Sequence, residues 1–404
     1  MHDQPDSRPA NPIVGRVGLL VFATLVVCTA FGEVATGLIV PAMPMLGDIF
    51  QRPPGTVQLI IVAFAVTFAV GQLFFGPLSD RRGRRPALMI GALLVIAGSV
   101  TSATADNLWV VVLGRAVQGL GTAAGYVVAR AMVRDIYGAN GAPKAMAILF
   151  ALMAASFLAA PLVGGALIEL ASWQAGFLFA AIVGSLWLAS AIFVMPETLT
   201  KAPAAEHPAA YLVYLGLFRH KGFLAFMLCH AVAYAELYGF VAGAPYFFIE
   251  SLGLTPASYG MIAAIAMSGF LTGSMTARLA IPRWGMHRVI LISLTIMLGA
   301  PAVLVVLGLI VWLPLTVIVV MQFFVWFGGG FLAPNTAAGV MMSHPKAAGA
   351  AAAVLGFVQM CAAAAVSLLQ GLIYDGSVFP MIGTQLVLGL VTLLIWHRLK
   401  RHTV

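Results

Sequence analysis

The stretch Gly76–Pro86, with the sequence GPLSDRRGRRP, is the densest cluster of charge in a chain that is otherwise nearly free of charge. Apolar runs long enough to cross a bilayer lie on both sides of it. Its four arginines are too costly to place in hydrocarbon, and its two glycines and two prolines favour a tight turn over a continuous helix. The stretch therefore predicts a short loop on the cytoplasmic side of a membrane, joining two spans.

The composition is that of an integral membrane protein. Of the 404 residues, 62% are hydrophobic and 8% are charged, whereas soluble domains carry roughly 25% charged residues. The apolar residues come in blocks of about 20 or more, the length of a membrane span. A soluble multidomain protein is therefore excluded. The net charge of +8 does not indicate nucleic-acid binding, because the basic residues are scattered among short loops between spans.

The sequence carries no signature of an enzyme or of a cofactor site. It lacks a phosphate-binding glycine-rich loop with Lys-Ser or Lys-Thr, so ATP-driven transport has no support. The histidines occur singly, which argues against a metal site. Cys28, Cys229 and Cys361 fall inside apolar runs, which argues against a disulfide framework. We therefore expect no enzyme activity, no metal and no cofactor.

Twelve apolar segments are each long enough to span a bilayer, the first near Val17–Pro41. Helices are expected, because backbone polar groups in lipid must be satisfied within the segment and the alternation of a barrel strand is missing. The prediction is an all-α integral membrane protein with twelve transmembrane helices in two six-helix halves. The expected divisions are a cytoplasmic tail at 1–16, a first half at 17–195, a cytoplasmic connector at 196–222, a second half at 223–396 and a cytoplasmic tail at 397–404.

The two predicted halves resemble each other weakly. A cysteine and a glutamate precede Pro41 in span one, and the same two residue types precede Pro245 in span seven. The segment Arg278–Arg288 after span eight stands where the first half has its arginine-rich loop. Two six-span halves related by a repeat are a transporter architecture.

The basic residues indicate the orientation. Apart from Arg52 and Arg115, every lysine and arginine falls on the segments or span ends of one side. Cytoplasmic loops carry the excess of Lys and Arg in membrane proteins, so this side is predicted to be cytoplasmic and to hold both termini. Arg52 lies on an outer loop, and Arg115 lies inside a span.

Three ionisable residues lie well inside predicted spans: Glu33, Arg115 and Glu236. Each costs roughly 2.5–3.5 kcal/mol at the bilayer centre, so such side chains usually face a cavity or a partner. Burial disfavours the charged form of a carboxyl, which suits Glu33 and Glu236 to exchange a proton. The alternative is a structural ion pair or a carboxylic acid kept neutral by a hydrogen bond. For Arg115 the alternative is a packing arginine held by backbone carbonyls.

Polar and aromatic residues on shared helical faces are candidates to line a substrate cavity. Thr29 and Thr36 share a face with Glu33, and Gln118 and Thr122 share one with Arg115. Spans seven, ten and eleven add His230, Tyr234, Tyr238, Gln322, Phe327, Asn335 and Gln359. The competing interpretation is a hydrogen-bonded core histidine and aromatic rings that face lipid or pack against helices.

The charged loop resembles the loop between spans two and three of the major facilitator superfamily of transporters, in Gly76, Asp80, Arg81, Gly83, Arg84 and Arg85. The resemblance implies two six-helix halves around a central cavity, with Asp80 bracing neighbouring helices at the cytoplasmic face. The competing interpretation is a basic anchor that only sets the topology.

Two further stretches resemble motifs of the superfamily. Arg115–Gly121 is similar to a span-four motif of proton-coupled members, which implies a link of Arg115 to proton transfer. Pro161, Gly164 and Gly165 are similar to a span-five motif associated with antiporters, although Ser156 and Ala160 stand where glycines are usual. The departure weakens the inference of antiport without removing it.

Four segments resemble bacterial twelve-span drug:proton antiporters of the bicyclomycin and chloramphenicol resistance (Bcr/CflA) type: Arg130–Asp135, Ser172–Phe177, Pro196–Leu199 and Leu217–Phe223. The resemblance implies a monomer in a bacterial inner membrane that exports chloramphenicol- or bicyclomycin-like compounds in exchange for protons. The alternative function is a facilitator or importer of a metabolite, such as a nucleoside or a sugar, with the same fold.

Overall fold

The computed structural model describes residues 16–199, 216–344 and 347–403, so most of the predicted N-terminal tail and connector lies outside the described residues. Within these ranges the chain is helical and contains no β-strand. Twelve helices are long and apolar enough to cross a membrane, which confirms the predicted fold class. They are α1 (Gly18–Phe50), α2 (Pro54–Arg82), α3 (Arg84–Ala103), α4 (Leu108–Gly138), α5 (Asn140–Leu170), α6 (Gln174–Phe193), α7 (Lys221–Ser251), α8 (Pro256–Trp284), α9 (Met286–Ile310), α10 (Leu315–Ser343), α11 (Gly349–Ile373) and α12 (Phe379–His402).

Glycines with a left-handed backbone separate several of these helices. Gly83 (φ 105°) lies between α2 and α3, Gly138 (φ 62°) is the last residue of α4 before α5, and Gly285 (φ 75°) lies between α8 and α9. A residue with a Cβ is strained in this region, so glycine suits these turns. At the start of α4, Asn107 instead supplies a side-chain cap, accepting the amide of Val110 across 3.1 Å.

Two helices change their winding where the sequence places a proline. Span one is expected to end near Pro41, but α1 continues to Phe50 through a 3-10 turn at Val40–Ala42. Helix α7 passes Pro245 through a π-helical turn at Tyr246–Ser251. Proline lacks the amide proton of a regular helix and crowds the preceding turn, so the winding changes locally. The two distortions lie at corresponding places in the first six and the last six helices.

The bundle has two ends, which differ in how the two sets of six helices meet. We call the end with the loop Arg81–Arg85 the arginine-rich end, and the end with the turn at Gln51–Pro53 the opposite end. The largest cluster of buried apolar side chains runs through the last six helices. Near the opposite end it also takes in residues of the first six, including Val40, Met43, Val57 and Phe177.

Close backbone contacts join the two sets at the opposite end. A Cβ added to Gly260 of α8 would lie 2.5 Å from the carbonyl oxygen of Pro161 on α5. A Cβ added to Gly371 of α11 would lie 2.8 Å from Cα of Gly55 on α2. Any side chain at these glycines would push the helices apart, so the small residues allow the bundle to close here.

The residues of the span-five motif lie at this junction. Pro161 is inside α5, where the helix is not interrupted. Gly164 packs on α1, since a Cβ added there would lie 2.5 Å from the carbonyl oxygen of Leu38, and Gly165 packs on Pro256 at the start of α8. The motif thus occupies the point where α1, α5 and α8 meet, and its part in conformational change stays a prediction.

Candidate functional site

A hydrogen bond in the middle of the bundle links the two sets of helices. The hydroxyl of Tyr234 on α7 donates to Oε1 of Glu33 on α1 across 2.9 Å. The other carboxyl oxygen, Oε2, is buried and has no hydrogen-bond partner among the described residues. The fold thus brings together two candidate residues that are 201 positions apart. Glu33 keeps one oxygen available for a proton or for a donor group of a substrate.

Tyr238 lies beside Tyr234 on α7. The rings of Tyr234 and Tyr238, one turn apart, have their centres 5.1 Å from each other. Arg115 on α4 donates to the carbonyl of Ala35, two positions from Glu33 on α1. Residues of α1, α4 and α7 therefore lie close to the Glu33–Tyr234 bond.

Arg115 is fully buried on α4 and is held mainly by backbone carbonyls. Its Nη1 donates to Ala35 across 3.2 Å, and its Nε donates to Ile60 across 3.4 Å. Nη1 also bonds Oε1 of Gln118 at 2.6 Å, and the guanidinium lies 4.1 Å from the centre of the Phe64 ring. Nη2 has no partner within the described ranges. This geometry is that of a packing arginine, and the link of Arg115 to proton transfer stays a prediction.

The other polar candidates of the first six helices are buried between helices. Gln118 donates to Oγ of Ser99 across 2.7 Å and so joins α4 to α3. The hydroxyl of Thr122 donates to the carbonyl of Gln118 at 2.7 Å, and that of Thr29 donates one turn back on its own helix at 2.8 Å. Thr36 is buried as well. In this conformation these side chains serve packing, and their place in a substrate cavity stays a prediction.

His230 joins three helices of the second set. Its Nδ1 lies 2.8 Å from the hydroxyl of Thr336 on α10, and its Nε2 lies 3.1 Å from Oε1 of Gln359 on α11. His230 and Tyr234 also border a small cleft, whose other walls are apolar: Ala233, Leu237, Phe270, Gly329, Leu332 and Ala333. His230 is therefore both a hydrogen-bonded core histidine and a residue of the cleft. Gln359 lies beside the cleft through its hydrogen bond to His230.

Glu236, the third predicted ionisable residue, is not part of this centre. Its side chain is fully buried, and neither carboxyl oxygen has a hydrogen-bond partner in the described part of the chain. Oε2 faces Gly389 on α12, 3.5 Å from where a Cβ would stand. Tyr234 and Glu236 therefore point to different sides of α7, one toward the first six helices and one into the second set.

The remaining candidates from span ten also lie inside the second set. Gln322 and Gln385 exchange two hydrogen bonds, of 2.8 and 3.0 Å, between α10 and α12. Asn335 donates to the carbonyl of Phe331 at 2.9 Å. The ring of Phe327 packs against that of Phe331, with centres 5.8 Å apart. None of the three meets Glu33 in this conformation, and their contact with substrate stays a prediction.

An ionic network centred on Arg84 ties the arginine-rich loop to α4. Nη1 of Arg84 bonds Oδ1 of Asp80 at 2.5 Å and Oγ of Ser79 at 2.7 Å, while Nε bonds Oδ2 of Asp135 at 3.1 Å. The Arg84 side chain is only 11% exposed, but that of Asp80 is 61% exposed. Of the three charged residues, Arg84 is the most buried and Asp80 is the most exposed.

Glu197, in the segment after α6, caps the first turn of α3. Its Oε1 accepts the amide of Arg84 across 2.9 Å, and its Oε2 accepts that of Arg85 across 3.1 Å. A carboxylate is favoured there because helix N-termini carry partial positive charge. Burial raises the pKa of Glu197, but hydrogen bonds from the amides of Leu199, Arg84 and Arg85 outweigh that effect, so the pKa lies below its usual value.

The other residues of the loop motif connect further helices. Arg85 donates to the carbonyls of Ala191, at 2.9 Å, and Ile192 near the end of α6. Gly76 faces α4, with Val127 3.8 Å from where a Cβ would stand, and Arg81 is exposed. The loop therefore holds α2, α3, α4 and α6 together at the arginine-rich end.

Asp135 and Glu197 are members of this network to which the sequence patterns assign no role. Both stand in segments noted for their resemblance, Arg130–Asp135 and Pro196–Leu199. Their partner Arg84 is 51 and 113 residues away, respectively, so only the fold shows the contacts. The acidic residue in each of these segments is the signal that could have indicated a partner for the arginines.

Comparison with known proteins agrees with this architecture. Residues 25–396 match the profile of the Major Facilitator Superfamily. The chain is 27% identical over 390 residues to multidrug resistance protein D of Escherichia coli, covering 94% of this chain and 95% of that protein. It is 25% identical over 357 residues to the bicyclomycin resistance protein homolog of Haemophilus influenzae, covering 85% and 87%. The crystal structure of a D-xylose-proton symporter gives a TM-score of 0.73 at 16% identity, covering 94% of this chain and 97% of that one, which shows a shared fold alone.

The family match spans nearly the whole chain and confirms the resemblance indicated by the arginine-rich loop. Proteins of this family are membrane transporters and not enzymes. With twelve apolar helices in its described residues, this multi-pass membrane protein belongs to the Major Facilitator Superfamily.

Proposed function

We propose that the chain exports small, mostly apolar compounds in exchange for protons, by alternating access between its two sets of helices. Export of drug-like compounds is supported by relatives named for multidrug and bicyclomycin resistance, which match the chain over most of its length. The proposed export requires no enzyme activity and no bound cofactor.

The observation that carries the proton part of the proposal is the bond between Glu33 and Tyr234, which joins the two sets of helices. When Glu33 is ionised, this is a charge-assisted hydrogen bond, roughly twice as strong as a neutral one. Protonation of Glu33 removes the charge and weakens the bond. Proton binding would then change the free energy that holds α1 to α7, which is what coupling to a rearrangement of the two sets requires.

The orientation follows from the distribution of basic residues. The arginine-rich end is proposed to face the cytoplasm of a bacterial inner membrane, because Lys and Arg accumulate on that side. The bundle is closed at the opposite end by glycine contacts such as Gly260 on Pro161. In this orientation the structure corresponds to a state closed to the outside. Both sets of helices that the proposed cycle needs belong to one chain, and the proposed unit is a monomer in the bilayer.

A proton gradient can supply the energy for such a cycle. Moving one charge through 100 mV provides about 2.3 kcal/mol, which corresponds to roughly a fifty-fold gradient of an electrogenically coupled compound. The proposal therefore requires that export depend on the proton gradient and not directly on ATP.

Expression in a bacterium that lacks its own drug pumps tests the proposal. Growth and efflux would be measured with a panel that includes chloramphenicol and bicyclomycin, together with uptake of labelled sugars and nucleosides. We expect resistance to at least one drug, and efflux that a protonophore stops while ATP depletion at an intact gradient does not. Uptake of a metabolite without resistance to any drug would instead support the metabolite facilitator. Efflux lost directly on ATP depletion would contradict proton coupling.

A further inference from the structure

We propose that Glu236 is a second exchangeable proton site, separate from Glu33 and from the cleft beside His230 and Tyr234, and reached from the opposite end of the bundle. Its part in driving export rests on the proposed function. The site itself lies where α7 packs against α12, beside Leu298 of α9. It would bind one proton on a carboxyl oxygen and release it again, with no other bond made or broken.

The carboxyl of Glu236 lies in a fully buried environment. Glu236 is fully buried, and both of its oxygens lack hydrogen-bond partners among the described residues. Gly389 on α12 lies beside it: a Cβ there would make an ordinary contact with Oε2 at 3.5 Å and a tighter one with Cα of Leu298 on α9 at 3.3 Å. An ionised carboxylate without partners is strongly disfavoured in such a place, so this conformation holds Glu236 as a neutral acid.

No counter-charge lies near Glu236 in the described part of the chain. Helix α7 packs against α10, α11 and α12, and α9 meets α12 beside Gly389. Their charged or titratable side chains in the described residues lie at the arginine-rich end: His287 and Arg288 on α9, and His397, Arg398, Lys400, Arg401 and His402 on α12. Cys361 on α11 and Cys229 on α7 itself are neutral thiols inside spans. No ion pair explains the carboxyl, so a proton is the charge partner that the site offers.

Glu236 lies on the other side of α7 from the cleft beside His230 and Tyr234. Tyr234 and Glu236 are two positions apart on α7, a rotation of about 200° around the helix. Tyr234 reaches Glu33 and the central cleft, whereas Glu236 reaches α12. Helix α7 therefore contacts Glu33 through Tyr234 on one face and carries Glu236 on the opposite face. A rotation or shift of α7 that changes the Glu33 bond also changes the packing around Glu236.

A line of polar side chains leads from Glu236 toward the opposite end. On the face of α7 that includes Glu236, the next residues are Gly239 and Gly243. A Cβ on Gly239 would lie 3.7 Å from Gln385 and 3.9 Å from Nε2 of Gln370, and one on Gly243 would lie 2.9 Å from Oε1 of Gln370. Gly243 thus leaves space for the Gln370 amide, whereas the contacts at Gly239 are ordinary and the Gln385 amide is paired with Gln322. Gln370 donates in turn to the carbonyl of Pro380, at the start of α12.

In the other direction the same face of α7 is sealed by apolar groups. Cys229 is buried beside the backbone of Thr392. One turn further, the ring of Phe226 packs on Trp396 with centres 5.7 Å apart, and the two side chains are 5% and 2% exposed. Water and protons therefore have polar groups to follow on the side of the opposite end, and an aromatic seal on the side of the arginine-rich end.

Infrared difference spectroscopy of the purified full-length protein in lipid nanodiscs tests the proposal, because a protonated carboxyl has its own C=O stretching band. The wild type and Glu33→Gln should show a band at the frequency of a carboxylic acid without a hydrogen bond. Glu236→Gln and Glu236→Leu should lack it. The band should shift after transfer into D₂O and should lose intensity reversibly as the pH is raised. Glu236→Leu serves as the second variant because an apolar side chain suits this buried site.

The route is tested by the rate of the D₂O shift. Gln385→Leu should slow it about tenfold, the factor that corresponds to a small added barrier. Gln322→Leu is the matched control: it breaks the same pair of hydrogen bonds but keeps the Gln385 amide, and should leave the rate unchanged. A band that survives Glu236→Gln, or that never shifts in D₂O in the wild type, would overturn the proposal. An unchanged rate in Gln385→Leu would overturn the route. No substrate is used, so these outcomes are independent of the export assays.

Discussion

The turn at Gly83 and the turn at Gly285 have nearly the same backbone but very different surroundings. Their φ and ψ angles are 105° and 154° at Gly83, and 75° and 157° at Gly285. Around Gly83, a Cβ would lie 2.5 Å from Oε2 of Glu197, whereas nothing lies within 4 Å of one on Gly285. The shared backbone is what two antiparallel helices joined by one glycine require. Only the turn at Gly83 is surrounded by the ionic network, so the network is not required for such a turn to form.

The buried carboxyls repeat this asymmetry between the two sets of helices. Glu33 on α1 reaches across to Tyr234 of the other set, while Glu236 on α7 stays inside its own set. Glu33 therefore responds directly to the relative position of the two sets, and Glu236 responds to the packing of α7. Equivalent places in a repeat need not carry equivalent roles.

The largest effect at the two turns is expected from Arg84→Ala. Arg84 bonds Asp80, Asp135 and Ser79 while only 11% of its side chain is exposed. Hydrogen bonds to charged groups contribute roughly 1.5–3 kcal/mol each, so we expect at least about a tenfold loss of export rate with normal insertion. Arg283→Ala, beside Gly285, is the matched control and should export normally. Equal export by both variants, measured at equal amounts in the membrane, would remove the distinction between the two turns.

A smaller effect is expected from Gly83→Ala, and it should appear in stability. A backbone that only glycine adopts readily costs on the order of 1–3 kcal/mol for other residues. Both glycines carry that cost, but at Gly83 the added methyl group also collides with Glu197. Thermal unfolding should therefore begin at a lower temperature in Gly83→Ala than in Gly285→Ala. The reverse order would show that Glu197 does not pack against this turn.

The cap at α3 should make stability depend on pH. The pKa of Glu197 is lowered in the folded protein, so its contribution is present above the usual Glu pKa of 4.5 and is lost as the pH falls through the folded value. Between neutral pH and a pH below that range, the wild type should lose more thermal stability than Glu197→Gln. Equal losses in the two proteins would show that the carboxylate does not stabilise the helix N-terminus.

The smallest effect is expected from Asp80→Asn. Asp80 is 61% exposed, and Arg84 keeps its bond to Asp135 when Asp80 is neutralised. We expect a partial loss of export, smaller than that of Arg84→Ala, because solvent screens an exposed pair. The double variant Asp80→Asn with Asp135→Asn should approach the loss of Arg84→Ala. Normal export by Asp80→Asn would leave this residue as part of a basic anchor, and a double variant no worse than either single one would separate Asp135 from the network.

The sequence predicted the fold well because span length, charge distribution and turn residues are local properties. Helix α1 was longer than expected, since the 3-10 turn at Val40–Ala42 lets the chain continue past Pro41. Contacts between distant residues could not be predicted in the same way. Glu33 and Tyr234 were each selected from their own helical faces, but their pairing depends on how α1 meets α7.

The limits of sequence patterns are clearest for buried polar residues. Gln322 stands in an aromatic, glycine-rich stretch that suits a cavity, but its amide pairs with Gln385 inside the second set. Arg115 was placed correctly inside a span, whereas its carbonyl partners Ala35 and Ile60 come from two other helices. A polar residue in a span indicates that some partner exists, and only the packing of helices decides which one.

The central claim, that Glu33 couples proton binding to export, is tested most directly by Glu33→Gln. Glutamine keeps the size and can still accept a hydrogen bond from Tyr234, but it cannot ionise. Export of the best compound from the drug panel would be followed in inside-out vesicles under an imposed pH gradient. Asp106→Asn, on an exposed loop, would serve as the matched control. The account predicts that Glu33→Gln inserts normally but loses uphill, pH-dependent export, while the control keeps it. Uphill, pH-dependent export by Glu33→Gln at the wild-type rate would contradict the account.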